Sequence, residues 1–136
     1  MLSNTNETLL IGKVQKLSGV PIGTIRYYES LGLIKSAGRT YGGFRYFSKD
    51  ILSRLSFIKR AQQLGLSLQE IADILQIYDG GEVPCDQIQH KLEDKILQID
   101  QQIDDLLKLQ GELKNLLSRW KSFSNKPNDI ICPNIQ

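Results

Sequence analysis

The sequence predicts a mostly α-helical protein with an N-terminal winged helix-turn-helix domain, a small β-wing, a long dimerisation helix and a short C-terminal loop. Three observations predict this fold. Two short apolar patterns of helical spacing are separated by a glycine, a stretch rich in glycine and aromatic residues follows, and an apolar heptad pattern runs through much of the second half. The 136 residues fit one compact domain plus such an extended element.

The first helix is predicted by apolar residues at helical spacing from Ile11 onward, and it stops at Gly19. Pro21 suits the first turn of a second helix that extends to about residue 31. Two short helices joined by a tight turn that contains glycine are typical of a helix-turn-helix. The polar residues 1–8 before them are expected to be flexible.

Residues 34–47 predict a two-stranded β-hairpin, because a Gly-Gly pair that can supply a turn with φ > 0 lies among aromatic residues. Ser48 is expected to cap a third helix at its N-terminus. Ser67, with Glu70 three residues later, predicts a capping box at the start of a fourth helix.

The last helix is predicted to begin near Pro84 and to be long. Its apolar residues recur at alternating intervals of three and four, with Gln110 filling the one gap: Ile96, Ile99, Ile103, Leu106, Leu113, Leu117 and Trp120. A single helix cannot bury such a stripe alone, so we expect a coiled coil with the same helix of a second chain. The alternative is a helix that packs on its own N-terminal domain.

Charge is distributed unevenly along the chain. Residues 9–60 hold ten basic and two acidic side chains, a net charge of +8, whereas residues 81–136 hold seven basic and nine acidic ones, a net charge of −2. This split predicts a front that binds a polyanion and a neutral rear, the alternative being an ordinary solvated basic surface.

Composition also bears on location and redox state. No apolar run approaches the roughly 18–20 residues of a membrane span, and the N-terminus lacks the basic and apolar regions of a signal peptide. We therefore expect a cytoplasmic protein that binds no membrane and whose two cysteines are thiols rather than a disulfide.

Several runs of residues stand in a fixed order along the chain: IGKV (11–14), TIRYYE (24–29), GLI (32–34), YGGFRYF (41–47), FIKRA (57–61), LG (64–65) and LQEI (68–71). They resemble the MerR family of transcription regulators. Pro84-Cys85 and Ile131-Cys132-Pro133 are most similar to the mercury-responsive members of its metal-sensing branch. The resemblance extends from about residue 9 to residue 133.

The resemblance implies that the second helix enters the major groove of double-stranded promoter DNA and that the wing grips the flanking backbone. The side chains expected to contact DNA are Lys13, Lys16, Thr24, Arg26, Tyr27, Arg39, Tyr41 and Arg45. Tyr28 aligns with Ile25 and is expected in the core, and Phe44 and Phe47 are expected to pack within the wing. The resemblance further implies a homodimer that distorts the promoter when its effector binds, which realigns the DNA for RNA polymerase.

The two cysteines bracket the long helix. At about 1.5 Å per residue its ends are roughly 50 Å apart, so Cys85 and Cys132 of one chain are not expected to meet. In an antiparallel dimer the start of one helix lies beside the end of the other. Cys85 of one subunit is then expected to approach Cys132 of its partner, which forms two metal sites per dimer.

A site with two thiolates favours a soft ion that tolerates low coordination, and Hg(II) fits best. The mercury-responsive members usually carry a third cysteine at a place that Phe123 occupies here, which weakens the transfer of mercury specificity. Another soft metal effector such as Pb, Cd, Zn or Cu(I), a thiol-redox switch, and incidental thiols remain as alternatives.

The sequence therefore predicts a metal-responsive DNA-binding regulator, with a non-regulatory DNA-binding scaffold as a less favoured alternative. An enzyme is not expected, because the chain shows no nucleophile–base pair, no carboxylate pair placed by spacing and no phosphate-binding glycine loop. The expected organisation is a flexible N-terminus (1–8), a winged-helix DNA-binding domain (9–80), a dimerisation helix (81–121) and a C-terminal metal-binding loop and tail (122–136).

Overall fold

The computed structural model describes residues 8–124 and 129–135. The elements follow in the order β1 (Thr8–Leu10), α1 (Ile11–Ser18), α2 (Ile22–Ser30), β2 (Gly38–Arg39), β3 (Arg45–Ser48), α3 (Ile51–Gln63), α4 (Leu68–Asp79) and α5 (Cys85–Ser118). The predicted mostly helical fold is confirmed. The chain divides into two compact units, Met1–Lys91 and Leu92–Gln136, which are described separately.

The helix-turn-helix consists of α1 and α2. Gly19 follows α1 in the left-handed conformation with φ 75°, and its N–H donates to the carbonyl of Gln15 at 2.9 Å. The side chain of Gln15 then accepts a hydrogen bond from the Ile22 N–H at 3.0 Å, so a residue of α1 caps the start of α2. Val14 of α1 and Ile25 of α2 are completely buried on the inner faces of the two helices.

The wing is the predicted hairpin of β2 and β3. Its strands are antiparallel, with Arg39 opposite Arg45. The turn closes through hydrogen bonds from Thr40 N to Phe44 O at 2.8 Å and from Gly43 N to Thr40 O at 2.9 Å. Gly43 has φ 83°, a conformation that glycine adopts without steric cost, so the glycine pair does supply the expected turn.

A third strand, β1, was not predicted. It pairs antiparallel with β3, and Leu9 stands opposite Phe47, so the sheet order is β1-β3-β2. Both side chains belong to the hydrophobic core. Thr8 was expected in the flexible segment and instead begins this strand; residues 1–7 of that segment lie outside the described residues. A segment of three residues is too short to show the alternation of apolar and polar residues that predicts a strand.

The start of α3 differs from the prediction. Ser48 is the last residue of β3 rather than a helix cap, because it is held opposite Thr8 in the sheet, and its hydroxyl donates to the Asp50 carboxylate. Asp50 occupies the N-cap position and makes no side-chain capping bond. The expected capping box at α4 is confirmed: Ser67 Oγ accepts from the Glu70 N–H at 3.1 Å, and Glu70 Oε1 accepts from the Ser67 N–H at 3.0 Å.

The core of the first unit joins all of its helices to the sheet. Its most completely buried large side chains are Val14, Ile25, Leu33, Ile34, Phe47, Leu55, Ile58, Ile71 and Ile74. Both phenylalanines were expected to pack within the wing. Phe47 of β3 is completely buried in this core, whereas Phe44 is 67% exposed and its ring lies beside Gly42 at the wing tip. The described part of the first unit thus buries its own apolar core without help from a second chain.

The long helix α5 begins one residue after Pro84, close to the predicted position, and has 34 residues. None of these residues is fully buried within the single chain. The predicted apolar stripe, which continues to Trp120 beyond the end of the helix, has side chains between 44% and 67% exposed. No helix in the described ranges, 8–124 and 129–135, is long and apolar enough to cross a membrane.

Candidate DNA-binding surface and metal ligands

The second helix presents one tyrosine outward and one inward. Arg26 and Tyr27 are exposed, and Thr24 is half-buried beside them. Tyr28 is only 7% exposed, and its hydroxyl donates to Gln62 Oε1 of α3 at 2.7 Å. Burial raises the pKa of Tyr28 above its ordinary value. The prediction that Tyr28 belongs to the core is therefore confirmed, and it leaves Tyr27 on the outer face of α2.

Two lysines of α1 extend the basic surface. Lys13 and Lys16 are both exposed and stand three residues apart, so they share a face of the helix. Their exposed ammonium groups can therefore contact a polyanion directly. With Arg26, they are three exposed cations on the helix-turn-helix.

The wing carries the remaining predicted DNA contacts, and the structure gives them different roles. Tyr41 at the tip is completely exposed. Arg39 is exposed and donates from one guanidinium nitrogen to the Gly43 carbonyl at 3.0 Å, which braces the turn. Arg45 is partly enclosed, and its Nε lies 2.9 Å from Glu29 Oε1. This ion pair ties the wing to α2, so Arg45 fixes the spacing of the two parts of the surface.

Two scaffold residues were not identified by the sequence analysis. Glu29, the acidic partner in the wing, is one of only two acidic side chains between residues 9 and 60, and this rarity was the available signal. Arg54 is half-buried at the start of α3, where its Nε donates to the Leu33 carbonyl at 2.6 Å. Its two terminal nitrogens bind the Asp79 carboxylate at 2.7 and 2.9 Å. These hydrogen bonds lower the pKa of Asp79 below its ordinary value.

The two cysteines are free thiols in different units of the chain. Cys85 is exposed and is the first residue of α5, whereas Cys132 is half-buried in the segment after the helix. Within the described residues, no group of three or more His, Cys, Asp or Glu side chains stands close enough to hold a metal ion. The donors present are thus two soft sulfur ligands, which suit a thiophilic ion of low coordination number.

Cys132 has a neighbour that the sequence analysis overlooked. Asn134 Nδ2 donates to the Lys121 carbonyl at 2.8 Å, and Asn134 Oδ1 accepts from the Lys121 N–H at 3.1 Å. The same Nδ2 lies 3.9 Å from Cys132 Sγ. No local sequence pattern predicts the hydrogen bonds between Lys121 and Asn134, because these residues are 13 positions apart.

Comparison with known proteins gives consistent relatives. Residues 9–77 match the family described as "MerR HTH family regulatory protein", and residues 52–116 match the one described as "MerR, DNA binding". The chain is 40% identical over 127 residues to the mercuric resistance operon regulatory protein of Bacillus cereus, with 93% of each chain covered. It is 31% identical over 132 residues to the protein of the same name from Pseudomonas fluorescens, covering 97% of this chain and 88% of the relative.

Two solved structures extend the comparison to metal complexes. The lead(II) complex of the transcription regulator PbrR691 from Ralstonia metallidurans CH34 superposes with a TM-score of 0.73 at 30% identity, covering 85% of this chain and 90% of the other. The mercury(II) complex of the regulator MerR from Bacillus megaterium MB1 gives a TM-score of 0.60 at 34% identity, covering 90% and 92%. These relatives regulate transcription and are not enzymes.

Proposed function

Because this chain belongs to the MerR family of transcription regulators, we propose that it is a metal-responsive member that acts on promoter DNA and takes Hg(II) as its effector. One observation carries the proposal: one thiol stands on the first residue of a long helix and the other beyond its end, and the apolar stripe of that helix is uncovered. The mercury(II)-bound and lead(II)-bound relatives support a soft ion as the effector class. The protein itself is a regulator and not an enzyme.

The proposal begins with a homodimer. Seven large apolar side chains of the stripe are about half exposed in the single chain. Covering the exposed half of each contributes on the order of 1 kcal/mol per side chain, which amounts to several kcal/mol for each chain. The same helix of a second copy, running antiparallel, covers the stripe along its whole length as a coiled coil.

Cys85 of one subunit and Cys132 of its partner then hold the metal ion. Hg(II) accepts two thiolates as a complete ligand set, whereas Zn(II) in structural sites takes four ligands. Phe123, at the place where the mercury-responsive members that the sequence resembles usually carry a third cysteine, offers no donor. A ligand set of two thiolates therefore favours Hg(II) over Pb, Cd and Zn, with Cu(I) as the closest competitor.

On DNA, α2 enters the major groove and Arg26 reads a base edge or clamps a phosphate. The DNA backbone is contacted by Lys13, Lys16 and the exposed wing residue Tyr41. Thr24 and Tyr27 complete the DNA-facing surface of α2. Arg39 and Arg45 hold the wing in position and add positive charge. Metal binding alters the distance between the two DNA-binding units of the dimer. The promoter is then distorted so that RNA polymerase can engage it.

The test is a titration of the reduced protein with Hg(II), followed by the thiolate-to-mercury absorption band. We expect two ions per dimer, lost on Cys85→Ser or Cys132→Ser and retained in the control Ser122→Ala. Mixing and refolding the two cysteine variants together gives heterodimers with one intact intersubunit pair, so each heterodimer recovers one site, half the number in the parent dimer. A metal site confined to one chain recovers nothing on mixing, and that result contradicts the intersubunit site.

A thiol-redox switch is the second candidate, because both cysteines are free and Cys85 is exposed. It predicts an intersubunit disulfide after mild oxidation, seen as a covalent dimer on a non-reducing gel, and promoter activation by oxidant without metal. Activation by Hg(II) under reducing conditions, with no covalent dimer, separates the metal-responsive regulator from this alternative.

A further inference from the structure

The side chain of Asn134 ties the segment that carries Cys132 to the backbone after α5. Asn134 forms two hydrogen bonds with one residue, Lys121: its Nδ2 donates to the Lys121 carbonyl at 2.8 Å and its Oδ1 accepts from the Lys121 N–H at 3.1 Å. Lys121 stands beyond the end of α5 at Ser118. The primary amide thus acts as a short β-bridge that satisfies both backbone groups of Lys121.

The same amide also reaches the sulfur of Cys132. Asn134 Nδ2 is 3.9 Å from Cys132 Sγ, within hydrogen-bond distance for sulfur. The backbone between them is restrained, because Pro133 fixes its own φ and the Ile135 N–H donates to the Cys132 carbonyl at 3.1 Å. Cys132 and Asn134 are both half-buried, so this arrangement is partly shielded from water. The amide that binds the Lys121 backbone therefore also lies beside the sulfur of Cys132.

We propose that Asn134 is a positioning residue for Cys132: it fixes the segment 129–135 to the backbone after α5 and orients Sγ as a metal ligand. The inference deepens the proposed function and depends on it. Groups that hydrogen-bond a metal ligand fix its orientation, and their removal typically weakens metal affinity by roughly 10- to 100-fold. An amide suits this task because it offers an acceptor for Lys121 N–H and donors for both the carbonyl and the sulfur.

Two substitutions separate the parts of the clamp. Asn134→Asp keeps an oxygen acceptor for the Lys121 N–H but has no N–H for the carbonyl or for Cys132 Sγ. Asn134→Ala removes every bond. Asn115→Ala is a matched control on the exposed surface of α5. Hg(II) affinity is measured by competition with a small dithiol, and we expect it to fall roughly 10- to 100-fold in both Asn134 variants and to stay unchanged in the control.

Two readouts distinguish positioning from general stability. In the metal-free protein, hydrogen exchange of the Lys121 amide reports the clamp directly: Asn134→Ala abolishes its protection, and Asn134→Asp preserves part of it. In the mercury-loaded protein, the position of the thiolate-to-mercury band shifts in both variants, because the sulfur changes its orientation and its hydrogen bond. The urea unfolding midpoint is expected to remain that of the parent protein.

The outcomes are distinct. If Cys132→Ser abolishes metal binding while both Asn134 variants bind Hg(II) as tightly as the parent with an unshifted band, the positioning role is wrong and the proposed function stands. If Cys132→Ser itself binds Hg(II) as tightly as the parent, the proposed metal site fails, and the positioning role fails with it. Loss of Lys121 protection together with weaker binding in Asn134→Ala, but not in Asn115→Ala, supports the inference.

Discussion

Arg54 connects three parts of the DNA-binding unit, and its removal tests how that unit holds its recognition helix. Its Nε donates to the carbonyl of Leu33, just after α2, at 2.6 Å. Its terminal nitrogens bind Asp79, the last residue of α4, at 2.7 and 2.9 Å. We expect Arg54→Ala to loosen the turn after α2 and the end of α4 together.

The size of the effect follows from the burial of the two partners. Leu33 is only 1% exposed, so its carbonyl loses a partner in a site that excludes water, which costs about 1–3 kcal/mol. The Asp79 side chain is 53% exposed, so the lost ion pair adds only about 0.5–1 kcal/mol. Arg54→Ala is therefore expected to lower the free energy of unfolding by about 1.5–4 kcal/mol, a large share of the roughly 5–15 kcal/mol that holds a typical domain folded.

Urea unfolding followed by circular dichroism at a fixed protein concentration measures this change, and we expect the midpoint to fall by roughly 1–2 M. Asp79→Asn keeps the bond to Leu33 and is expected to cost about 1 kcal/mol or less. Lys59→Ala, an exposed position on the same helix, serves as the control and is expected within about 0.5 kcal/mol of the parent. If Arg54→Ala costs no more than Asp79→Asn, the bond to the buried carbonyl does not stabilise the unit and the reasoning is refuted.

Three further predictions concern pH, DNA and assembly. The Arg54 guanidinium holds the pKa of Asp79 below its ordinary 3.8, so the ionised carboxylate stabilises the folded state at neutral pH. This contribution is lost progressively as the pH falls from about 4 through the lowered pKa, and the difference in urea midpoint between the parent and Asp79→Asn should shrink over that range. Arg26→Ala is expected to cost about 1–3 kcal/mol in operator binding and to relax base preference. Lys16→Ala is expected to weaken binding to all sequences and to lower by about one the slope of the logarithm of the binding constant against the logarithm of salt concentration. Fluorescence anisotropy in a salt series measures both. Leu106→Lys in the centre of the stripe should convert the dimer to monomer in sedimentation equilibrium, and a dimer that persists would contradict the coiled-coil proposal.

The helices, the wing turn and the capping box could be predicted because each depends on residues close together in the chain. Gly19 ends α1 with a left-handed φ that favours glycine, and Ser67 with Glu70 pairs side chain and backbone within one turn. Helical spacing alone distinguished Tyr28, which lies in the core, from Tyr27, which faces outward. The apolar stripe of α5 was evident from its period, and its exposure in the single chain agrees with that pattern.

Other features were decided by contacts between distant residues, which leave no period or local signature. The strand β1 exists because Leu9 reaches Phe47 across the sheet, and that pairing keeps Ser48 in β3 instead of at a helix cap. Arg45 was expected only to bind DNA, yet its guanidinium also pairs with Glu29. By itself the sequence therefore determined which segments are helical, where they end and which faces are apolar. Only the tertiary structure decided which polar groups hold those segments together, since a hydrogen bond between distant residues depends on how the chain folds back on itself.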